Sequence, residues 1–159
     1  MVRRRAAIII AVFMLSMPMT VHAEEVPYEV RVIAEELGAR YGICPELLES
    51  IVYQESRFNP KVVSSNGLYV GAMQICQSVH SSRMARLGVT DLTDLRSNMT
   101  VGCDYLSDLF QHYEDTGSVL LVYSGSGKKL NHYESTGKMT AYVRQVLDRA
   151  ARYERQHGK

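Results

Sequence analysis

The feature that most constrains the fold is the spacing of the apolar residues, which recur every three or four positions through most of the chain. This period places them on one side of an α-helix, whereas a half-buried strand would alternate every second residue. Four stripes of this kind are Val30, Ile33, Leu37 and Tyr41; Leu48, Ile51 and Val52; Leu106, Leu109, Phe110 and Tyr113; and Met139, Tyr142, Val143, Val146, Leu147 and Ala150. We therefore predict an all-α fold with little or no sheet.

Shorter signals predict how these helices are connected. Gly42 follows the first stripe, where a left-handed residue commonly ends a helix. The stretch 59–71 is predicted as a long loop, and a helix is predicted over about 73–87. Residues 119–123 are apolar all round, which is typical of a buried helix. The Gly-, Ser- and Lys-rich stretch that follows them is predicted as a loop.

The first 23 residues have the layout of a secretory signal peptide. Three arginines, Arg3 to Arg5, precede a short apolar run over 6–15, and Val21-His22-Ala23 offers a small-x-small cleavage site. An uncleaved membrane anchor is the alternative, because the uncharged stretch approaches a spanning length. We expect cleavage, which would leave residues 24–159 as a single exported domain, secreted or held in the cell envelope.

Charge and cysteine content exclude several classes of protein. The net charge of +1 gives no basic face of the kind that nucleic-acid binding requires. Three cysteines in an exported chain allow at most one internal disulfide, and their pairing is open. Their spacing, at Cys44, Cys76 and Cys103, matches no zinc pattern. We therefore predict no metal site, no cofactor and no nucleic-acid partner.

Glu55 is the residue that breaks the helical pattern. It lies on the apolar stripe of its helix, three and four residues after Val52 and Ile51. It also falls in the last turn, because Asn59-Pro60 must end the helix soon afterwards. Burial and the negative end of the helix dipole both disfavour the carboxylate and raise its pKa. Glu55 is thus a candidate general acid, although a side chain that reaches solvent at a frayed helix end is an equal alternative.

A second carboxyl group is missing from the sequence neighbourhood of Glu55. Positions 56–90 contain neither Asp nor Glu. Most glycosidases place two carboxyl groups on either side of the scissile bond. The absence favours a reaction in which the substrate supplies its own nucleophile, although a distant aspartate could fold into the site.

Five motifs, in order along the chain, resemble the signatures of the lytic transglycosylase (SLT) family. They are GICPELL (42–48) with QESRFNP (54–60), GAMQI (71–75), NMTVGCDYL (98–106), VYSG (122–125) and TAYV (140–143). A lone Glu-Ser pair would be a weak signal. The ordered series is specific, and it covers nearly all of the chain after the predicted signal peptide.

The resemblance implies a lysozyme-like helical domain with a groove for peptidoglycan glycan strands. The expected reaction is non-hydrolytic cleavage of the β-1,4 bond between N-acetylmuramic acid and N-acetylglucosamine. Glu55 would protonate the leaving oxygen while the substrate's N-acetyl group stabilises the cation. Glu55 would then take the proton of the muramoyl 6-hydroxyl, which leaves a 1,6-anhydro end.

The resemblance also assigns substrate contacts to seven further side chains. Ser56 and Ser64 would orient the acid or contact sugar, and Met73 and Gln74 would line the groove. Tyr123 would form a hydrogen bond near Glu55, and Tyr142 would form a wall of the groove. Ser124 would occupy the position at which the family has an asparagine. Plain core packing is an alternative for Met73 and Tyr142. Three other motif residues are interpreted as scaffold, namely Gly102, Tyr105 and Leu106.

Two other functions stay open at this point. A hydrolytic muramidase on the same fold would need a second carboxylate, for which Asp91 and Asp94 are the first candidates. A peptidoglycan-binding module without activity is the other, and the change of the family's asparagine to Ser124 is compatible with it. We expect a monomer, and the small domain favours a role in a phage, secretion or conjugation assembly over general wall turnover.

Overall fold

The computed structural model describes residues 24–159, so the predicted signal peptide at 1–23 lies outside the described residues. Within that range the helices are α1 Tyr28–Tyr41, α2 Pro45–Ser56, α3 Gln77–Leu87, α4 Leu95–His112, α5 Thr116–Tyr123, α6 Leu130–Thr136 and α7 Ala141–Gln156, with a 3₁₀ turn at Gly127–Lys129. Two short strands, β1 Tyr69–Val70 and β2 Ile75–Cys76, form an antiparallel hairpin. The predicted all-α class is confirmed.

The segment between Gly71 and Leu87 differs from its prediction. The helix predicted from residue 73 begins only at Gln77, because the preceding residues turn and form strand β2. Gln74 has φ 50°, a left-handed conformation that an α-helix cannot continue through. The stretch after α5 also differs, since it contains α6 where the sequence predicted only a loop.

Helix α2 lies at the centre of the structure. It packs against α1 on one side and α7 on the other, and α4 packs against α1 and α5. Its apolar residues are fully buried, as at Leu48, Ile51 and Val52. Across residues 24–159, every helix is too short or too polar to cross a membrane. Burial of α2 on nearly all sides fixes the direction in which its last turn points.

A buried asparagine joins the hairpin to α4. The Oδ1 atom of Asn98 accepts from the backbone N–H of Met73 at 2.7 Å, and its Nδ2 donates to the carbonyls of Val70 at 2.8 Å and Leu92 at 2.9 Å. Gly71 has φ 80°, and a Cβ atom at this position would collide with the Asn98 amide. The amide and the glycine together hold the short hairpin in one place.

Replacing Asn98 with alanine should destabilise the protein strongly. The substitution leaves one backbone N–H and two carbonyls without their partner, and a few unsatisfied buried groups cost about 2–4 kcal/mol in the free energy of unfolding. Urea denaturation followed by circular dichroism measures the change. Asn131→Ala, at an exposed position of α6, is the matched control and should stay within about 0.5 kcal/mol of the parent. Equal stability of the two variants would contradict the role of Asn98.

Candidate active site

A groove with a volume of about 590 Å³ opens where the ends of several elements meet. It is bounded by the last turn of α2, the hairpin, the first turn of α3, the middle of α4, the end of α5 and the start of α7. The side chains along it are mostly apolar or aromatic. They belong to Glu55, Tyr69, Met73, Gln74, Ile75, Cys76, Val79, His80, Tyr105, Val122, Tyr123, Ser124, Gly125 and Tyr142.

Glu55 reaches the groove because α2 ends directly after it. Arg57 and Phe58 both adopt left-handed conformations, with φ 54° and 65°, and stop the helix within two residues. The Phe58 ring packs edge-on against Tyr53, at a centroid distance of 5.4 Å. Non-glycine residues in this conformation carry strain that the surrounding packing must offset. The turn therefore places Glu55 at the groove.

The surroundings of Glu55 favour a protonated carboxyl group. Burial raises the pKa of Glu55, and the hydroxyl of Tyr142 opposes this in part by donating to Oε1 at 2.5 Å. The sequence predicted this direction, and burial is its main cause. Tyr142 lies in α7, which packs against α2. The hydrogen bond between the two helices therefore also fixes the orientation of the Glu55 carboxyl group.

Tyr123 and Met73 form the floor of the groove together. The Tyr123 hydroxyl donates to the Met73 carbonyl at 2.9 Å rather than to Glu55, and burial raises its pKa well above the usual value. The Met73 side chain is 1% exposed and lies against Gly102, where a Cβ atom would collide with the sulfur. Met73 thus lines the groove and also fills the core, so the two roles considered from the sequence do not exclude each other.

Gln74 and Ser124 lie on the groove but use their polar atoms within the protein. The Gln74 side-chain amide donates to the carbonyls of Gly71 at 2.9 Å and Val62 at 3.2 Å, which holds the hairpin turn. The Ser124 hydroxyl donates to the Leu121 carbonyl at 3.0 Å at the end of α5. Both remain within reach of a ligand in the groove.

Ser56 and Ser64 lie outside the residues that line the groove. Ser56 is buried, and its hydroxyl donates to the Val52 carbonyl at 3.0 Å, so it forms no hydrogen bond with Glu55 in this conformation. Ser64 donates to Asn66 at 2.7 Å and accepts from the Tyr69 N–H at 3.0 Å. The two serines therefore stabilise the local backbone, Ser56 at the end of α2 and Ser64 in the loop before β1.

Two aromatic side chains line the groove without having been assigned to it from the sequence. The His80 ring packs at a tilt against Tyr105, with a centroid distance of 4.6 Å, and the Tyr105 ring lies 5.7 Å from that of Tyr123. Burial lowers the pKa of His80, which favours the neutral imidazole. Tyr105 had been interpreted as scaffold, yet it belongs to a continuous aromatic wall. The position of His80 in the first turn of α3 could be recognised only once the start of that helix was known.

Glu55 is the only carboxylate among the groove-lining residues within the range 24–159. Asp91 is exposed and accepts from the Thr93 N–H at 2.7 Å, while Asp94 caps α4 through the Ser97 N–H at 2.8 Å. Both aspartates thus serve to shape the turn before α4.

Comparisons with known proteins agree with this arrangement. Residues 33–143 match the Transglycosylase SLT domain family. The chain is 32% identical to the membrane-bound lytic murein transglycosylase F of Desulfosudis oleivorans, over 54% of this chain and 18% of that protein. It is also 32% identical to the transglycosylase of Enterobacteria phage PRD1, over 59% of this chain and 34% of the phage protein. The chain thus spans about a third of the phage protein and less than a fifth of the other relative.

The fold has a close counterpart among solved structures. The soluble 70 kDa lytic transglycosylase of Escherichia coli superimposes with a TM-score of 0.71 at 22% identity, over 87% of this chain and 26% of that one. The similarity supports the lysozyme-like helical architecture. Since the family match covers most of the described chain, the chain belongs to the transglycosylase SLT domain family.

Proposed function

We propose that this protein is a peptidoglycan lytic transglycosylase that cleaves the β-1,4 bond between N-acetylmuramic acid and N-acetylglucosamine. The observation that carries the proposal is a half-buried Glu55 with a raised pKa in a long groove whose other described lining residues carry no carboxyl group. A single carboxyl group suits a reaction in which the substrate's N-acetyl group stabilises the developing cation. A hydrolytic pair of carboxylates would need a partner that the groove does not supply.

In the first step, the protonated Glu55 donates its proton to the glycosidic oxygen as the bond to the anomeric carbon breaks. Burial raises the pKa of Glu55 above its usual value, which favours the protonated form that this step needs. In the second step, the muramoyl 6-hydroxyl attacks the anomeric carbon and Glu55 takes its proton, which forms the 1,6-anhydro ring and restores the acid. The Tyr142 hydroxyl stabilises the carboxylate that exists between the two steps.

The groove walls suit sugar rings. The chain contains no tryptophan, so the row formed by Tyr123, Tyr105 and the neutral His80 would provide the apolar faces on which sugars stack. Exposed Tyr69 at the hairpin would extend this surface. Gln74 and Ser124 would add amide and hydroxyl groups that bind sugar hydroxyls or N-acetyl groups.

We also propose that residues 1–23 direct export and that residues 24–159 act as a single, monomeric domain at the cell envelope. The basic and apolar pattern of the first residues supports export. One relative is named as membrane-bound and another comes from a phage. The phage relative favours local opening of the wall for a phage, secretion or conjugation apparatus.

Glu55→Gln should abolish the release of soluble muropeptides from purified peptidoglycan. Glutamine keeps the shape of the side chain but carries no transferable proton, and loss of a general acid typically costs about 10²–10⁴-fold in rate. Release is measured by chromatography, and pelleting with insoluble peptidoglycan measures binding. Asp91→Asn is the matched control, because this exposed carboxylate lies outside the groove, and it should retain full activity.

Retained cleavage by Glu55→Gln would overturn the assignment of Glu55. A parent protein that binds peptidoglycan and releases nothing would instead identify the chain as a binding module. Loss of activity in Asp91→Asn would point to a two-carboxylate mechanism.

Tyr142→Phe should move the alkaline limb of the pH–rate profile to higher pH. The parent loses activity as pH rises through the raised pKa of Glu55, because the acid loses its proton. The Tyr142 hydrogen bond lowers that pKa, so its removal raises the pKa further and keeps Glu55 protonated to higher pH. Tyr28→Phe, 82% exposed on α1, is the control and should leave the profile unchanged. A limb that moves to lower pH in Tyr142→Phe would contradict this account.

A further inference from the structure

A cluster of metal-ligating side chains lies where the beginning of α2 meets the end of α7. Cys44 directly precedes α2 and Glu46 lies in its first turn, while Glu154 lies in the last turns of α7. The Cys44 sulfur is 3.1 Å from Glu46 Oε2 and 3.6 Å from Glu154 Oε1. One donor atom from each of the three residues lies within 4.8 Å of the other two. Their side chains therefore converge on a single point.

Buried polar groups lie next to this cluster, and some of them have no hydrogen-bond partner. Glu46 is 1% exposed, and its Oε1 accepts from His157 Nδ1 at 3.0 Å and from Lys159 Nζ at 2.7 Å. Glu49 is fully buried and neither of its oxygens has a hydrogen-bond partner. Its Oε2 points toward His157 Nε2 at 4.0 Å, a nitrogen that also lacks a partner. Glu46 thus has Lys159 and His157 as partners, while Glu49 and His157 Nε2 are buried polar groups that lack a hydrogen-bond partner.

We propose that Cys44, Glu46 and Glu154 bind a zinc ion. A tetrahedral zinc with the usual Zn–S and Zn–O distances holds its ligand atoms about 3.3–3.8 Å apart. The Cys44 sulfur already lies 3.1 Å and 3.6 Å from the two glutamate oxygens, and all three donor atoms lie within 4.8 Å of one another. Glu46 faces the cysteine with one oxygen and keeps His157 and Lys159 on the other. His157 is thus placed to orient the ligating carboxylate, and water completes the fourth position.

The ligand types favour zinc over magnesium or calcium. A thiolate is a soft ligand that Zn²⁺ accepts readily, whereas Mg²⁺ and Ca²⁺ select oxygen ligands alone. On binding, the Cys44 thiol releases its proton to solvent and the thiolate replaces its hydrogen bond to Glu46 with a bond to the metal. Cys44 and Glu154 are both exposed, so an ion can enter without opening the core.

A zinc ion here would join two distant parts of the chain. It would tie the first turn of α2 to the last turns of α7, at the opposite end of α2 from Glu55. The site would therefore stabilise the fold without contacting the groove. This inference is independent of the proposed catalytic activity.

The test uses the purified protein after removal of metal with a chelator. Titration with Co²⁺, a spectroscopic substitute for zinc, should produce a sulfur-to-metal charge-transfer absorption in the parent and none in Cys44→Ser. Cys76→Ser is the matched control, because Cys76 is the other thiol within reach of solvent and lies on the groove. It should keep the absorption in full.

Calorimetric titration with Zn²⁺ provides the second measurement. Glu154→Gln should weaken zinc binding by at least about tenfold relative to the parent. Zinc should also raise the midpoint of thermal unfolding of the parent and leave that of Cys44→Ser unchanged. The proposal is wrong if the parent binds no Zn²⁺, if the absorption survives in Cys44→Ser or disappears in Cys76→Ser, or if Glu154→Gln binds zinc as tightly as the parent.

Discussion

Burial of α2 is the constraint on which the site depends. The helix is enclosed by α1 and α7, and its apolar residues are completely removed from solvent. Two consecutive left-handed residues, Arg57 and Phe58, then end it abruptly. A carboxyl group at position 55 is consequently held half-buried at the edge of a groove, where its pKa rises and its orientation is set by Tyr142. The chemistry proposed for this protein follows from that placement.

The opposite wall of the groove depends on hydrogen bonds rather than on apolar burial. A hairpin of two-residue strands is too short to be stable alone. Asn98, a residue of α4, fixes the hairpin through hydrogen bonds to the backbone of Val70 and Met73. Gly71 lies so close to the Asn98 amide that no side chain fits between them. Tyr123 adds a further bond to the Met73 carbonyl. Packing therefore holds one side of the groove and hydrogen bonds hold the other, an arrangement that suits the positioning of a substrate.

The sequence predicted the helices that bury one regular stripe, such as α1 with Val30, Ile33 and Leu37, because local spacing encodes their packing. It also predicted the position and the protonation tendency of Glu55. The hairpin was missed because the left-handed Gln74 and the bonds of Asn98 depend on contacts between distant residues. The contact between Cys44 and Glu154, 110 residues apart, could not be recognised from spacing at all.

In the proposed reaction, one carboxyl group acts together with the substrate's own hydroxyl to cleave the glycan. Mass spectrometry of the muropeptides released from purified peptidoglycan distinguishes this reaction from hydrolysis. We predict products with 1,6-anhydromuramic acid ends, each lighter by one water than the corresponding hydrolytic product. Products with reducing ends would contradict it, because water would then be the nucleophile and a second catalytic group would have to lie outside the groove described above.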